Sequence, residues 1–206
     1  ISSANPTPRW GVVHALVGGS DAKLRAARTW LIAVLEAAEA GAAARGKLAW
    51  QDRLDIRQAA TFAIYQAREV VNLGVAAMLH DLGKTRLPQE LRHVNGITPP
   101  ADTAQRAEWE SHARISYDLV RDDIEVTAAA AILNHHQHFD GSGFPTRDLG
   151  SGVKLAQDGQ RIHVYARILL AADLYDHLLL SDDGKTRRTN LEILHIMGKR
   201  YAKWLD

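Results

Sequence analysis

Ala76-Ala77-Met78-Leu79-His80-Asp81-Leu82-Gly83-Lys84 is where an apolar helical run gives way to chemistry. An imidazole beside a carboxylate at a buried helix end offers one metal ion a nitrogen ligand and a second ion a bridging oxygen. Gly83 is expected to turn the chain off the helix in the left-handed conformation that only glycine adopts without penalty. Taken alone, a His-Asp dipeptide is an ordinary polar helix terminus. Here it is followed by His112, His135-His136 and Asp173, each on an otherwise apolar helical face. Buried imidazoles and carboxylates are costly unless paired or ligated, so a metal site is the economical explanation.

The flanking sequence reads as helix nearly throughout. Ser20 is a candidate N-cap for a helix with Leu24, Ala27, Leu31, Val34, Leu35 and Ala38 at helical spacing, ending at Arg45-Gly46. Residues 1–20 read as an irregular or short-strand lead-in, with Gly18-Gly19 as a turn. Helices are then expected over about Leu48–Tyr65 and Glu69–His80. One more carries Trp109, His112, Ile115, Ser116 and Leu119 on one face, and another runs from about Glu125 to His135-His136. Asp140 to Gly159 is Gly-rich and reads as a loop, followed by helices over about Ile162–Leu180 and Asn190–Trp204. No convincing period-2 strand pair appears, so the expected class is all-α, with residues 1–46 as an extension or linker helix and 47–206 as the functional domain. The first helix serves equally as a linker from an upstream sensor domain or as the first core helix.

Bulk properties narrow the functions. The chain has 206 residues, 46% hydrophobic and 24% charged, with a formal charge of +1. That balance argues against a surface built for duplex nucleic acid. Cysteine is absent, which removes disulfides, thiolate nucleophiles and iron–sulfur clusters and leaves His, Asp and Glu as ligands. No apolar stretch reaches the roughly 20 residues of a membrane span, and a cytoplasmic setting is expected. The chain begins at Ile1, which suggests a fragment of a longer product.

His80-Asp81-Leu82-Gly83-Lys84, His112, His135-His136, Asp140-Gly141-Ser142-Gly143-Phe144-Pro145 and Ala166-Arg167-Ile168 running into Ala172-Asp173-Leu174-Tyr175-Asp176 occur in this order. Over residues 47–180 the series resembles the HD-GYP subgroup of the HD phosphohydrolase superfamily. The resemblance implies a helical bundle around a metal centre that hydrolyses cyclic di-GMP to the linear dinucleotide or GMP. It implies Asp81 as the bridging ligand, His80 and Asp173 on one ion, and His112, His135 and His136 on the other. Lys84 would contact the scissile phosphate. Asp140, Gly143, Phe144 and Pro145 would shape the substrate pocket, and Arg187 or Arg188 would supply phosphate-binding charge. The resemblance implies two divalent transition ions, iron or manganese before nickel, cobalt or zinc; nitrogen and oxygen ligands suit all five and do not choose among them. A sensor domain upstream and a homodimer are the expected partners beyond the nucleotide.

Several positions depart from the family pattern. Gln51 in Ala49-Trp50-Gln51-Asp52-Arg53 stands where the family has a histidine, and Lys47 stands where trinuclear members use a glutamate. Two ions are therefore expected, one of them weakly held. Gln137 replaces a glutamate, and Phe144 replaces a tyrosine while keeping an aromatic face. Three functions compete on this evidence. They are a dinuclear cyclic di-GMP phosphodiesterase, a degenerate domain that binds the nucleotide or a protein partner without turnover, and a hydrolase of another phosphoester or a di-iron oxidase. The Asp140–Pro145 loop argues against the third.

Overall fold

The computed structural model describes residues 11–148, 150, 154–181 and 185–205. The described residues divide into two units by their contacts, 14–72 in one and those from Leu73 onward in the other. The first contains most of α1 (Gly11–Arg45) and the start of α2 (Trp50–Leu79). α1 ends at Gly46, whose φ of 71° is the left-handed conformation. Asp52 caps the next helix by accepting from Ala49 N at 2.7 Å, and it also pairs with Arg45 at 2.5 Å. Lys23–Glu69 at 3.2 Å and an edge-on Trp30–Phe62 contact of 5.5 Å join the two helices over buried Ala27, Ala38 and Ala59.

Two expectations change in this unit. Residues 11–20, read as a lead-in and turn, are helical, and Ser20 lies inside α1 rather than capping it. The part of the lead-in before Gly11 lies outside the described residues. The two helices expected over residues 48–80 are one: Gln66-Ala67-Arg68 contains no breaker, and each is a good helix former.

The second unit holds α3 (Thr103–Val120), α4 (Val126–Asn134), α5 (Val164–His177), α6 (Asn190–Arg200) and α7 (Ala202–Leu205). Their starts are encoded locally. Asp102 accepts from Gln105 N, Glu125 from Thr127 N and Ala128 N, and Thr189 with Glu192 forms a reciprocal capping box. One core packs Ala76, Val120, Ala131, Ile132, Ala166 and Leu169 between α3, α4 and α5. A second joins Leu87, Leu91, Trp109, Ala113 and Phe144, and a third joins Leu174 and Leu178 to Ile193, Met197 and Tyr201. On α3 the buried face is Trp109, His112, Ala113, Ser116 and Val120, while Leu119 is exposed. The 140–159 loop carries a two-residue antiparallel ribbon, β1 (Arg147–Asp148) against β2 (Lys154–Leu155), with Arg147 opposite Leu155. Apart from this ribbon and an isolated Leu180–Arg187 bridge, the described residues are all-α in architecture, as expected. Among the described residues, no helix is long and apolar enough to cross a membrane.

Candidate metal centre

Each ligand candidate sits where a helix ends or faces the core. His80 follows the last residue of α2, and Asp81 begins a short 3-10 helix, Leu82–Arg86. His112 lies on the buried face of α3, His135 is the C-cap of α4 with His136 beyond it, and Asp173 lies in the last turns of α5. Neighbouring residues within a helix diverge by about 100°, so His135 and His136 converge because the helix has ended between them.

The 3-10 helix seats closely on α3. A Cβ at Gly83 would stand 2.2 Å from His112 O and 2.7 Å from Ser116 N, and Gly83 N donates to Ser116 Oγ at 2.7 Å. Gly83 is thus required by close approach, and not by the left-handed turn expected from the sequence, since its φ is not positive. Gly143 repeats the pattern, with its Cβ position 2.2 Å from His136 O and 2.5 Å from His138 N.

The imidazole nitrogens have fixed roles. His80 Nδ1 is 2.8 Å from Ala77 O, His112 Nδ1 2.6 Å from Trp109 O and His135 Nδ1 2.6 Å from Ile132 O. A carbonyl oxygen can only accept, so each Nδ1 carries the hydrogen and each Nε2 presents a lone pair when the ring is neutral. His112 Nε2 and His135 Nε2 then face one another at 3.4 Å as two acceptors. Asp81 Oδ1 adds a third, 3.4 Å from His112 Nε2 and 3.8 Å from His135 Nε2. Among the described residues, buried His80 Nε2, Asp81 Oδ1 and His136 Nε2 have no hydrogen-bond partner, and the metal-free protein would bear about 1–3 kcal/mol for each such atom. Converging acceptors with no donor between them fit a cation. The ligand atoms form two groups with every separation within 4.8 Å, Asp81 with His112, His135 and His136, and His80 with Asp81 and Asp173. Asp81 belongs to both.

Electrostatics keep these groups ready to ligate. Burial, reinforced by the neighbouring His80 and His112, pushes His135 down to about 3. Burial likewise holds His112 below and His136 well below the ordinary imidazole value. His80 is the exception: burial lowers it, but Asp173 and Asp81 outweigh that and raise it. Burial would raise Asp81 and Asp173, yet Lys84 beside the first and His177 and His80 beside the second hold both carboxyls below their usual range.

The remaining expected site residues separate into two groups. Lys84 is at the centre, its Nζ 2.7 Å from Asp81 Oδ2 and its side chain 12% exposed. Phe144 is also there, but buried, stacked on His136 at 4.6 Å and edge-on to Trp109 at 5.3 Å. Its ring orients an imidazole, where a free face for a base was expected. Pro145 follows through a cis peptide bond and its carbonyl accepts from Gln137 Nε2 at 2.6 Å, while Gln137 Oε1 accepts from Gln157 N. Gln137 therefore pins the Gly143–Pro145 loop. Asp140 closes a local turn, accepting from Ser142 N and Oγ. Arg188 turns to the C-terminal end of α5, donating to Leu178 O at 3.1 Å and to Leu180 O, and Arg187 is exposed. Gln51 donates to Asp55 at 2.8 Å within the other unit. The sequence reading overlooked His177, whose Nδ1 is 3.1 Å from Asp173 Oδ1. The signal was present as an Asp-x-x-x-His spacing, one helical turn, on α5.

An all-α unit with a buried His and Asp cluster built from four helices defines a protein equipped to hold divalent metal. A family model described as HD domain matches residues 56–206, and the chain belongs to that family, HD-GYP-like in its motifs. It is 34% identical over 116 residues to the cyclic di-GMP phosphodiesterase response regulator RpfG of Xanthomonas campestris, covering 54% of this chain and 27% of that protein. To the cyclic di-GMP phosphodiesterase PA4108 of Pseudomonas aeruginosa it is 30% identical, covering 64% and 28%. To the 3′3′-cGAMP-specific phosphodiesterase 1 of Vibrio cholerae it is 25% identical, covering 61% and 26%. The chain thus spans little more than a quarter of the length of the curated relatives it matches.

Proposed function

We propose that the protein is a metal-dependent phosphodiesterase acting on a cyclic dinucleotide, cyclic di-GMP before 3′3′-cGAMP. The observation that carries this is the double membership of Asp81, which gives one carboxylate to two adjoining ligand groups. The names of RpfG and PA4108 support cyclic di-GMP, and that of the Vibrio cholerae relative supports the alternative. The proposed cofactor is a pair of divalent transition ions, iron or manganese for preference, on His80, Asp81 and Asp173 and on Asp81, His112, His135 and His136. When bound, such a pair lowers the pKa of water and neutralises phosphate charge. Lys84 fixes a further positive charge beside Asp81 and is the proposed contact to the scissile phosphate. Gly143, Phe144 and Pro145 hold the His136 side of the centre in shape. We also propose a cytoplasmic setting, an upstream sensor domain and a homodimer.

The test is turnover of cyclic di-GMP by protein loaded with Mn²⁺ or Fe²⁺, beside metal analysis of the same sample. Hydrolysis that requires the metal is expected. Lys84→Ala should lower kcat by about 10²–10³ with little change in KM, because its charge matters most as negative charge develops on the phosphate. Equal losses in rate and binding would contradict that role. A fully metallated protein that binds the nucleotide and leaves it intact would favour the degenerate binding domain, a reading that rests on Gln51 standing where the resemblance implies a histidine.

Acid should release the two ions in order. As pH falls, a proton competes first for His80 Nε2, which the Asp173 and Asp81 carboxylates hold raised in the metal-free protein, and so for the ion held with Asp81 and Asp173. His135, pushed down to about 3, and His136 remain neutral at that point. Metal retained after desalting at stepwise lower pH should therefore fall from two ions to one, then to none. Loss of the three-histidine ion first would refute the assignment.

A further inference from the structure

His177 lies one helical turn beyond Asp173 on α5, at the C-terminal end of the helix. Its Nδ1 is 2.7 Å from Asp173 O and 3.1 Å from Asp173 Oδ1. Because the carbonyl can only accept, Nδ1 carries the hydrogen and shares it between the two oxygens. One imidazole thereby ties the carboxylate of Asp173 to that residue's own backbone and removes side-chain freedom. His80 Nε2, the other nitrogen near this oxygen, is 3.8 Å away, beyond hydrogen-bond reach. His177 is half-buried and lines a small cleft with Gly96, His136, Asp173 and Trp204. It falls outside both groups of converging ligand atoms. Its contact is with a ligand, and not with the place where the ligands meet.

We infer that His177 is a positioning residue that sets the Asp173 carboxylate for the ion held with His80 and Asp81. The inference rests on the dinuclear reading given above. That half of the centre has the greater need of such support. It offers one imidazole and two carboxylates, and Asp81 is already shared with the other ion and paired with Lys84. The other half is built from three imidazoles, two of them tied to backbone carbonyls. Hydrogen bonds from outer residues to metal ligands orient them and raise affinity, and their removal typically costs about 10–100-fold.

The experiment is a calorimetric titration of the metal-free 206-residue chain with Mn²⁺ alone, for wild type, His177→Leu and His177→Asn. Wild type should take up two ions. His177→Leu keeps bulk but has no donor, and should weaken one ion by about 10–100-fold while leaving the other within about twofold. His177→Asn places an amide N–H near the position of Nδ1 and should restore both ions to within about twofold of wild type. On an Asp173→Ala background, His177→Leu should add nothing further, because the two residues act as one unit. If His177→Leu does not fold, His177→Ala carries the same comparison. Two ions bound with unchanged affinity in the Leu variant, equal weakening of both ions, or failure of Asn to rescue would each overturn the inference alone. A wild-type chain that binds fewer than two ions would overturn the dinuclear reading, and this inference with it.

Discussion

Asp81→Ala is expected to remove both metal ions, where substitution of any one histidine removes chiefly the ion it serves. Its Oδ1 lies 3.4 Å from His112 Nε2 and its Oδ2 lies 3.6 Å from His80 Nε2, so each ligand group loses an anionic oxygen at once. The variant also leaves the Lys84 ammonium without its 2.7 Å partner, adding an uncompensated positive charge where cations would sit. Both changes act in the same direction. Turnover should fall by at least about a thousandfold, since paired ions supply several kcal/mol of transition-state stabilisation. Elemental analysis and rate measurement on one preparation give the result, and thermal melts of metal-free samples show whether the fold survives. A variant that keeps one ion at wild-type affinity would mean that Asp81 serves a single ion and that the centre is not shared.

Gly83→Ala should be nearly as severe by a wholly different route. The added methyl meets backbone, 2.2 Å from His112 O and 2.7 Å from Ser116 N, and backbone within a helix cannot swing aside like a side chain. The 3-10 helix must lift from α3, which lengthens the Gly83 N–H bond to Ser116 Oγ and carries His80 and Asp81 away from His112. Overpacking of this kind costs about 2–4 kcal/mol, or a fall in Tm of roughly 5–15 °C for a protein of this size. Metal uptake should fall with it. A Tm within about 2 °C of wild type would show that the contact is easily relaxed.

The helical architecture and the residue types that cluster, His80, Asp81, His112, His135, His136 and Asp173, were legible from the chain. The reason is physical: a histidine or aspartate inside an apolar stripe contradicts its surroundings, and six such contradictions narrow to few solutions. The helix starts near Glu125 and Asn190 and the end at Arg45-Gly46 were legible because such signals act within one turn, whereas Ser20, read as a cap, lies inside α1. What escaped depends on contacts between distant segments. The close approach of Gly83 to α3 is invisible until both elements are placed, and a turn was the nearest local explanation. Phe144 read as a stacking face because an aromatic in a glycine loop resembles one, but His136 and Trp109 enclose it. His177 escaped for the opposite reason. A histidine near a helix C-terminus is unremarkable until the aspartate one turn earlier is known to matter.

Three of the imidazoles are braced by Ala77 O, Trp109 O and Ile132 O, peptide groups three residues back on the chain. Metal sites more often brace their histidines with carboxylate side chains as well, each of which is one more position where a substitution can do harm. A peptide oxygen is encoded by no codon. Whatever residue replaces Ala77, Trp109 or Ile132, the oxygen stays, so long as the helix beneath it does. The mutational target of this site is correspondingly small, and drift in the surrounding sequence can alter packing and pocket while tautomer and lone-pair direction are kept at these three candidate ligands.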